Sequence, residues 1–363
     1  MSANYEISSG QIGRVAMDSI THIVLGATIG DAMAGRRLGK KAMLLGAVAQ
    51  SLPDIDVIAS SWLDPSHDVA AHRGITHSLL FVVVMGGLLA LAAERRYRGV
   101  MSSGGTGMAD GVMSLGGWLL FFGLQLLVHI FLDAFNAYGT GWFEPFSHYR
   151  VSFNVLFVAD LFYSVWPGIS FLALLILKSG DRRRKFWAAF GLVLSSLYLC
   201  YCITNKFRID ARVEKELVRQ QIGYRRYFTT PTPLNSWLWY IVAEDVAGYH
   251  TGYLSVFDRE PAIGLHFFPR NDSLLAPFRK QEDVKALLWF SQGYYTVEQW
   301  KDGLVFNDLR FGQMKGWEDA QAHFVFHYFL QRPGDNAVIV QRGRFAGWDG
   351  ATFRAFIRRI KGN

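Results

Sequence analysis

The sequence predicts a polytopic α-helical membrane domain of about six apolar helices, some of them partial, followed by a soluble α+β domain. Three observations carry that fold class. Of 363 residues, 51% are hydrophobic and 18% charged, less charge than a soluble domain usually carries. The long apolar runs fall almost wholly within residues 20–204. After Asn205 charges, proline and turn residues return, which divides the chain into a membrane-embedded part, 1–204, and a soluble part, 205–363.

Residues 1–19 are polar and hold no signal-peptide hydrophobic region, so the first apolar segment is expected to act as an uncleaved signal. Six apolar segments follow at 20–34, 42–59, 76–93, 115–135, 155–177 and 186–204. The last three are long enough to span a bilayer alone, and the third is marginal. The first two are short against the roughly 20 residues of a full span. Their Gly26, Gly30 and Gly46 suit tight helix packing.

The loops set the topology. Arg36, Arg37, Lys40 and Lys41, then Arg95, Arg96 and Arg98, then Lys178, Arg182, Arg183, Arg184 and Lys185 crowd three of them, while the alternate loops hold only Arg73 and Arg150. An excess of Lys and Arg marks cytoplasmic loops. The expectation is a multi-pass protein of the bacterial inner membrane with a periplasmic C-terminal domain. The net charge of +7 is thereby assigned to the membrane, and no nucleic acid is expected. Cys200 and Cys202 lie two apart in an apolar helix and indicate no disulfide framework. Beyond residue 205, KFRIDARVEKELVRQQI (206–222) reads as an amphipathic helix. SWLWYIVAE, YHTGYLSVF, HFVFHYFL and NAVIVQRGRF read as strands.

The chemistry lies in the ionisable residues of the apolar half. His129 and Asp133 sit four apart inside LLFFGLQLLVHIFLDAF (119–135). That spacing puts both on one helix face, and such a pair is costly in a membrane unless it meets a partner, a cavity or a metal. Asp54 and Asp56 follow Pro53 and would share one side of an extended backbone. Two carboxylates held together are stabilised by a cation. His72 and His77 flank Arg73 and Gly74 in a turn, and the Arg73 guanidinium suits phosphate oxygens. His22 opens the first segment and Asp160 lies near the start of the fifth. On the topology drawn from Lys and Arg alone, all eight His and Asp residues fall at one outer depth. Asn136, Tyr138, Glu144 and Asn154 border the same level. His323 and His327 are four apart in a strand, about 13 Å, too far for one ion.

His and Asp ligands without thiolates favour zinc, with manganese or iron as alternatives. Eight candidates exceed one tetrahedral site, so two or more ions are expected. A cluster of this kind lowers the pKa of water to give a nucleophile and stabilises charge on a phosphoryl or acyl oxygen. Asp56 is the candidate general base and Arg73 the candidate anion-binding group.

MDSITHIVLGATIGDAMAGRRLGKKAMLLGAVAQSLPDID (17–56), HRGITHS (72–78), HIFLDAFNAYGTGWFEPFS (129–147) and VADLFYSVWP (158–167) resemble the YdjM-type family of inner-membrane metal-dependent hydrolases. PTPLNSWLW (231–239) and FNDLRFG (306–312) look like the extra domain of its longer members. More distantly, the pattern is similar to zinc-dependent phospholipases C and single-strand nucleases. Those are helical proteins with a three-zinc site whose His-x-x-x-Asp pair His129 and Asp133 would match; the membrane half has no His-x-x-x-Glu counterpart. The resemblance implies a membrane-bound hydrolase, and the outer depth with Arg73 points to a phosphoester substrate, either a phospholipid or a lipid-linked phosphate. The alternatives are a metallopeptidase, though His-Glu-x-x-His is absent, a non-enzymatic ion-handling membrane protein using Asp31 as its inner acid, or a structural membrane protein with a vestigial site.

Overall fold

The computed structural model describes residues 16–61, 72–102, 113–259, 263–300, 303–330, 345 and 348–362. The expected strand over 336–345 lies outside them apart from Phe345, as do His67 and nearly all of the polar N-terminal stretch. Among the described residues, the apolar half builds six α-helices: α1 (Ala16–Leu38), α2 (Lys40–Ser51), α3 (Leu79–Ser102), α4 (Leu115–Asp133), α5 (Leu161–Ile176) and α6 (Arg183–Arg219).

They are not six spans. Among the described residues, two helices are long and apolar enough to cross a bilayer, α4 and α6, with α5 a shorter apolar helix. The six-span polytopic domain is thereby overturned. The physical reasons are length and charge. α2 has 12 residues and α5 has 16, both under the roughly 20 a span needs. Asp31, Arg36 and Arg37 interrupt α1, and Glu94, Arg95 and Arg96 end the apolar run of α3.

α1 and α2 form a hairpin around Gly39, which takes φ 59°. Their backbones touch: a Cβ on Gly46 would stand 2.1 Å from the Gly26 carbonyl oxygen, and one on Gly30 2.3 Å from that of Ala42. Glycine is what permits this approach. At the basic end of the bundle, Asp31 pairs with Arg184, both buried, and Arg184 also donates to the carbonyls of Leu174 and Leu177. This ties the start of α6 to α1 and the end of α5.

α6 crosses position 205 without a break and, at 37 residues, is about 55 Å long. Its last turns carry Ile209, Val213 and Leu217 into a core shared with Trp239, Ile241, Ala243 and Leu254. That core belongs to an antiparallel sheet of β1 (Arg226–Pro231), β2 (Leu238–Glu244), β3 (Gly248–Ser255) and β4 (Leu265–Pro269), in that order. A second antiparallel sheet joins β5 (Tyr295–Trp300), β6 (Gly303–Gln313) and β7 (Phe324–Phe329). α7 (Glu282–Phe290) and the amphipathic α8 (Gly350–Ile360) complete this half.

The loop after α4 docks on the second sheet. Ala137 and Tyr138 pack against its core, and the Tyr138 ring lies 4.6 Å from that of Phe311. The guanidiniums of Arg150 and Arg310 both lie over the Phe290 ring, at 5.4 and 4.6 Å. Cys200 and Cys202 are free thiols.

Candidate metal centre

Three separate segments deliver four donor residues to one point. α4 supplies His129 and Asp133 from one face, His129 Nε2 lying 3.5 Å from Asp133 Oδ2. The 3-10 helix Pro53–Ser61, which continues from α2, supplies Asp54, and the 3-10 turn Ile75–His77 supplies His77. His77 Nε2 is 3.2 Å from His129 Nε2 and 3.2 Å from Asp133 Oδ2. Asp54 Oδ1 lies 3.7 Å from His77 Nε2 and 3.5 Å from His129 Nε2. One donor atom from each of the four falls within 4.8 Å of all the others.

The groups behind them decide which atoms face inward. His129 Nδ1 is 2.5 Å from the Gln50 carbonyl oxygen, so that nitrogen donates and the lone pair sits on Nε2. His77 Nδ1 faces Asp56 Oδ2 at 3.3 Å, leaving its Nε2 to point at the same spot. An imidazole that donates its outer N–H to a carboxylate or carbonyl while offering the other nitrogen is the usual outer support of a metal ligand. Asp56 is itself held by the backbone N–H of Arg73 and the Thr76 hydroxyl. His22 stands one layer back: its Nε2 is 3.1 Å from Asp133 Oδ1 and its Nδ1 3.2 Å from the Gln50 side chain.

Charge and satisfaction favour a cation. Asp133 Oδ2 is buried among the imidazole nitrogens of His77 and His129, at 3.2 and 3.5 Å, and Arg73 Nε at 3.3 Å. Burial alone would lower the His77 pKa, but its hydrogen bonds to Asp133, Asp54 and Asp56 push it up to about 10. Burial works against the ionised forms of Asp54 and Asp56. The imidazoles of His129 and His77 outweigh it for Asp54, and those of His72 and His77 for Asp56, so both stay well below the carboxylate range. Three carboxylates around one imidazole demand positive charge. A proton on His77 supplies one unit and a divalent ion supplies two. His77, His129, Asp54 and Asp133 therefore form a group that could hold a metal ion.

The other candidates are placed differently. Asp54 and Asp56 do not share a side, because Leu52 is helical (φ −67°, ψ −38°) and the chain runs on as a 3-10 helix instead of an extended strand. The two carboxylates instead reach the two nitrogens of His77 from opposite ends of its ring. His72 pairs with Asp56 Oδ1 at 2.9 Å. Arg73, at φ 64°, is buried and donates from Nη1 to Asn136 Oδ1 at 2.8 Å. Asp160 is not among the four: it caps α5 by accepting from the Tyr163 N–H and receives the Tyr198 hydroxyl. Asp31, tied to Arg184, stands at the basic end.

Gln50, Thr76 and Arg150 carry no local sequence signal of a site role. Arg150 donates to the carbonyl of His72 at 2.6 Å, bracing the turn that carries His77. Its role depends on a partner 78 residues away, which no local pattern could signal.

The family model of the YdjM inner membrane protein matches residues 17–209, more than half of the chain and all four donors. The chain belongs to the YdjM inner membrane protein family. It is therefore a membrane protein with a candidate metal group. Among relatives of this YdjM chain, the uncharacterized protein YfhP of Bacillus subtilis (strain 168) is 25% identical, covering 92% of this chain and 95% of that one. The inner membrane protein YbcI of Escherichia coli (strain K12) is 29% identical, covering 36% of this chain and 69% of that one. No solved structure matches.

Proposed function

We propose that the chain is a membrane-bound, metal-dependent hydrolase that cleaves a phosphoester, either a phospholipid or a lipid-linked phosphate. The observation that carries this reading is the convergence of His77 Nε2, His129 Nε2, Asp54 and Asp133, with both outer imidazole nitrogens already committed. A divalent ion there, zinc first and manganese or iron next, supplies Lewis acidity and activates water at neutral pH. Asp56, engaged by Thr76, His72 and Arg73, orients His77. Arg73 keeps its guanidinium beside Asp133 and is the group suited to a phosphoryl oxygen. Asp54, with its side chain 15% exposed, is the open edge of the group. The basic ends of α1 and α6 set the opposite, cytoplasmic side, so the centre and the sheets belong to the outer side of the inner membrane.

The test is metal content by mass spectrometry of detergent-purified protein beside His129→Ala/Asp133→Ala, followed by hydrolysis assays on phospholipid and lipid-diphosphate vesicles. Bound zinc or manganese with phosphoester cleavage, both lost in the variant, is the expected result. Folded protein that stays metal-free after either ion is added overturns the reading. One observation favours a second reading, a non-enzymatic metal site: His77, His129 and Asp133 are almost fully buried, as in closed four-ligand sites. That reading predicts metal-dependent thermal stability and no hydrolysis.

A further inference from the structure

A small cavity, partly open to solvent and with room inside for about 40 Å³ of water-sized contents, lies where the loop after α4 meets the two sheets. We propose that it binds the uncharged, acceptor-rich headgroup of a phosphoester, a polyol or sugar. The inference rests on the hydrolase reading and gives it a substrate class.

Three properties of the walls carry it. The first is charge. Arg310 is the one charged side chain among the described residues lining the cavity, and Asp308 holds it by two hydrogen bonds, 3.0 Å at Nε and 2.6 Å at Nη2. A charged headgroup would find no free counter-ion. The second is hydrogen bonding. Trp317 Nε1 is buried without a hydrogen-bond partner, and Tyr240 Oη, on an almost wholly buried side chain, has only the Thr251 side chain near it and no well-formed hydrogen bond. Buried donors are rarely left so, and a ligand rich in oxygen acceptors would satisfy both. The third is shape. Tyr138, Tyr240, Tyr253 and Trp317 present aromatic faces, which suit the C–H faces of a ring whose hydroxyls point to the edges.

The cavity also borders the centre. Asn136 lines it, and its side-chain Oδ1 accepts from Arg73 Nη1, whose Nε lies 3.3 Å from Asp133. A phosphoryl group beside Arg73 would thus have its alcohol portion on the cavity side of Asn136.

The experiment is isothermal titration calorimetry on the full chain in detergent with zinc added. The probes are inositol 1-phosphate, glucose 1-phosphate, free inositol and inorganic phosphate. The proteins are wild type, Tyr240→Phe, which keeps the ring and removes one donor, and Trp317→Phe, which removes the indole N–H and keeps an aromatic face. The expected result is that at least one of the two phosphoesters binds about tenfold tighter than inorganic phosphate. Each variant should lose about three- to tenfold of that preference, with inorganic phosphate unchanged. Equal binding of phosphoesters and inorganic phosphate overturns the cavity assignment and leaves the metal centre standing, as does a preference that survives both substitutions. Variant-sensitive binding of free inositol without any phosphate binding keeps the cavity and overturns the hydrolase reading. No binding of any probe overturns the proposal.

Discussion

Asp133→Asn separates the two duties of one carboxylate. The change keeps the side chain's volume and removes its charge at a position 1% exposed. Arg73 Nε, 3.3 Å away and also buried, loses its nearby carboxylate. Breaking a buried ion pair from one side costs about 3–5 kcal/mol, equivalent to a Tm fall of roughly 6–20 °C for a domain of 150–250 residues. The same change removes one of four ligands, which should weaken zinc by more than the roughly 10–100-fold that follows loss of a supporting partner. Arg73→Met on the Asp133→Asn background removes the stranded guanidinium. The double variant should regain most of the thermal stability and none of the zinc. Thermal unfolding in detergent with and without zinc, together with metal content, reads both effects. Wild-type zinc content in Asp133→Asn, or no recovery in the double variant, would refute the assigned geometry.

Other variants test the surroundings. Asp56→Asn should leave the zinc stoichiometry at saturation unchanged and weaken affinity about 10–100-fold, because it loosens His77 without removing a ligand; competition with a chelator measures it. Gly46→Ala puts a Cβ 2.1 Å from the Gly26 oxygen and 2.7 Å from Gln125 Nε2. It should destabilise by about 1–3 kcal/mol or more, read as a lower Tm with no change in metal affinity per folded molecule. Asp160 titrates in the opposite sense to the centre. Burial pushes it from 3.8 up to about 6, so folding favours its protonated form. Its contribution is full below about pH 4 and is lost as pH rises to about 6, at most about 3 kcal/mol. Asp160→Asn, still able to cap α5, should abolish that decline and be more stable than wild type at pH 7. A wild-type pH profile in this variant would disprove the assignment.

Local spacing made part of the centre legible. His129 and Asp133 share a face because four residues approximate one helical turn, and the structure keeps them 3.5 Å apart. HFVFHYFL alternates at the period of a strand and contains β7. The sequence misled where backbone conformation was inferred from a single neighbour. Pro53 biases Leu52 away from the helical region, yet α2 continues through it, and the 3-10 helix turns Asp54 and Asp56 to different nitrogens of His77. Hydrophobicity misled in another way. Six apolar segments became helices, but burial among helices and passage through a bilayer leave the same composition, and only length with uninterrupted charge-free sequence separates them. Gln50 and Arg150 gave no local signal, since their partners are far along the chain.

The grip of Arg150 and Arg310 on Phe290 bears on how this chain could be recombined. One cation comes from the loop of the membrane half, the other from β6, and burial together with their mutual repulsion lowers Arg150 to about 9. The aromatic ring attracts both guanidiniums where an aliphatic side chain would leave two buried like charges facing each other. A chimera that exchanged the C-terminal half at the composition change near Asn205 would cut through α6 and separate Arg150 from its ring. The exchangeable module includes the loop over 136–150, so a swap between relatives should carry that loop with the sheets it rests on.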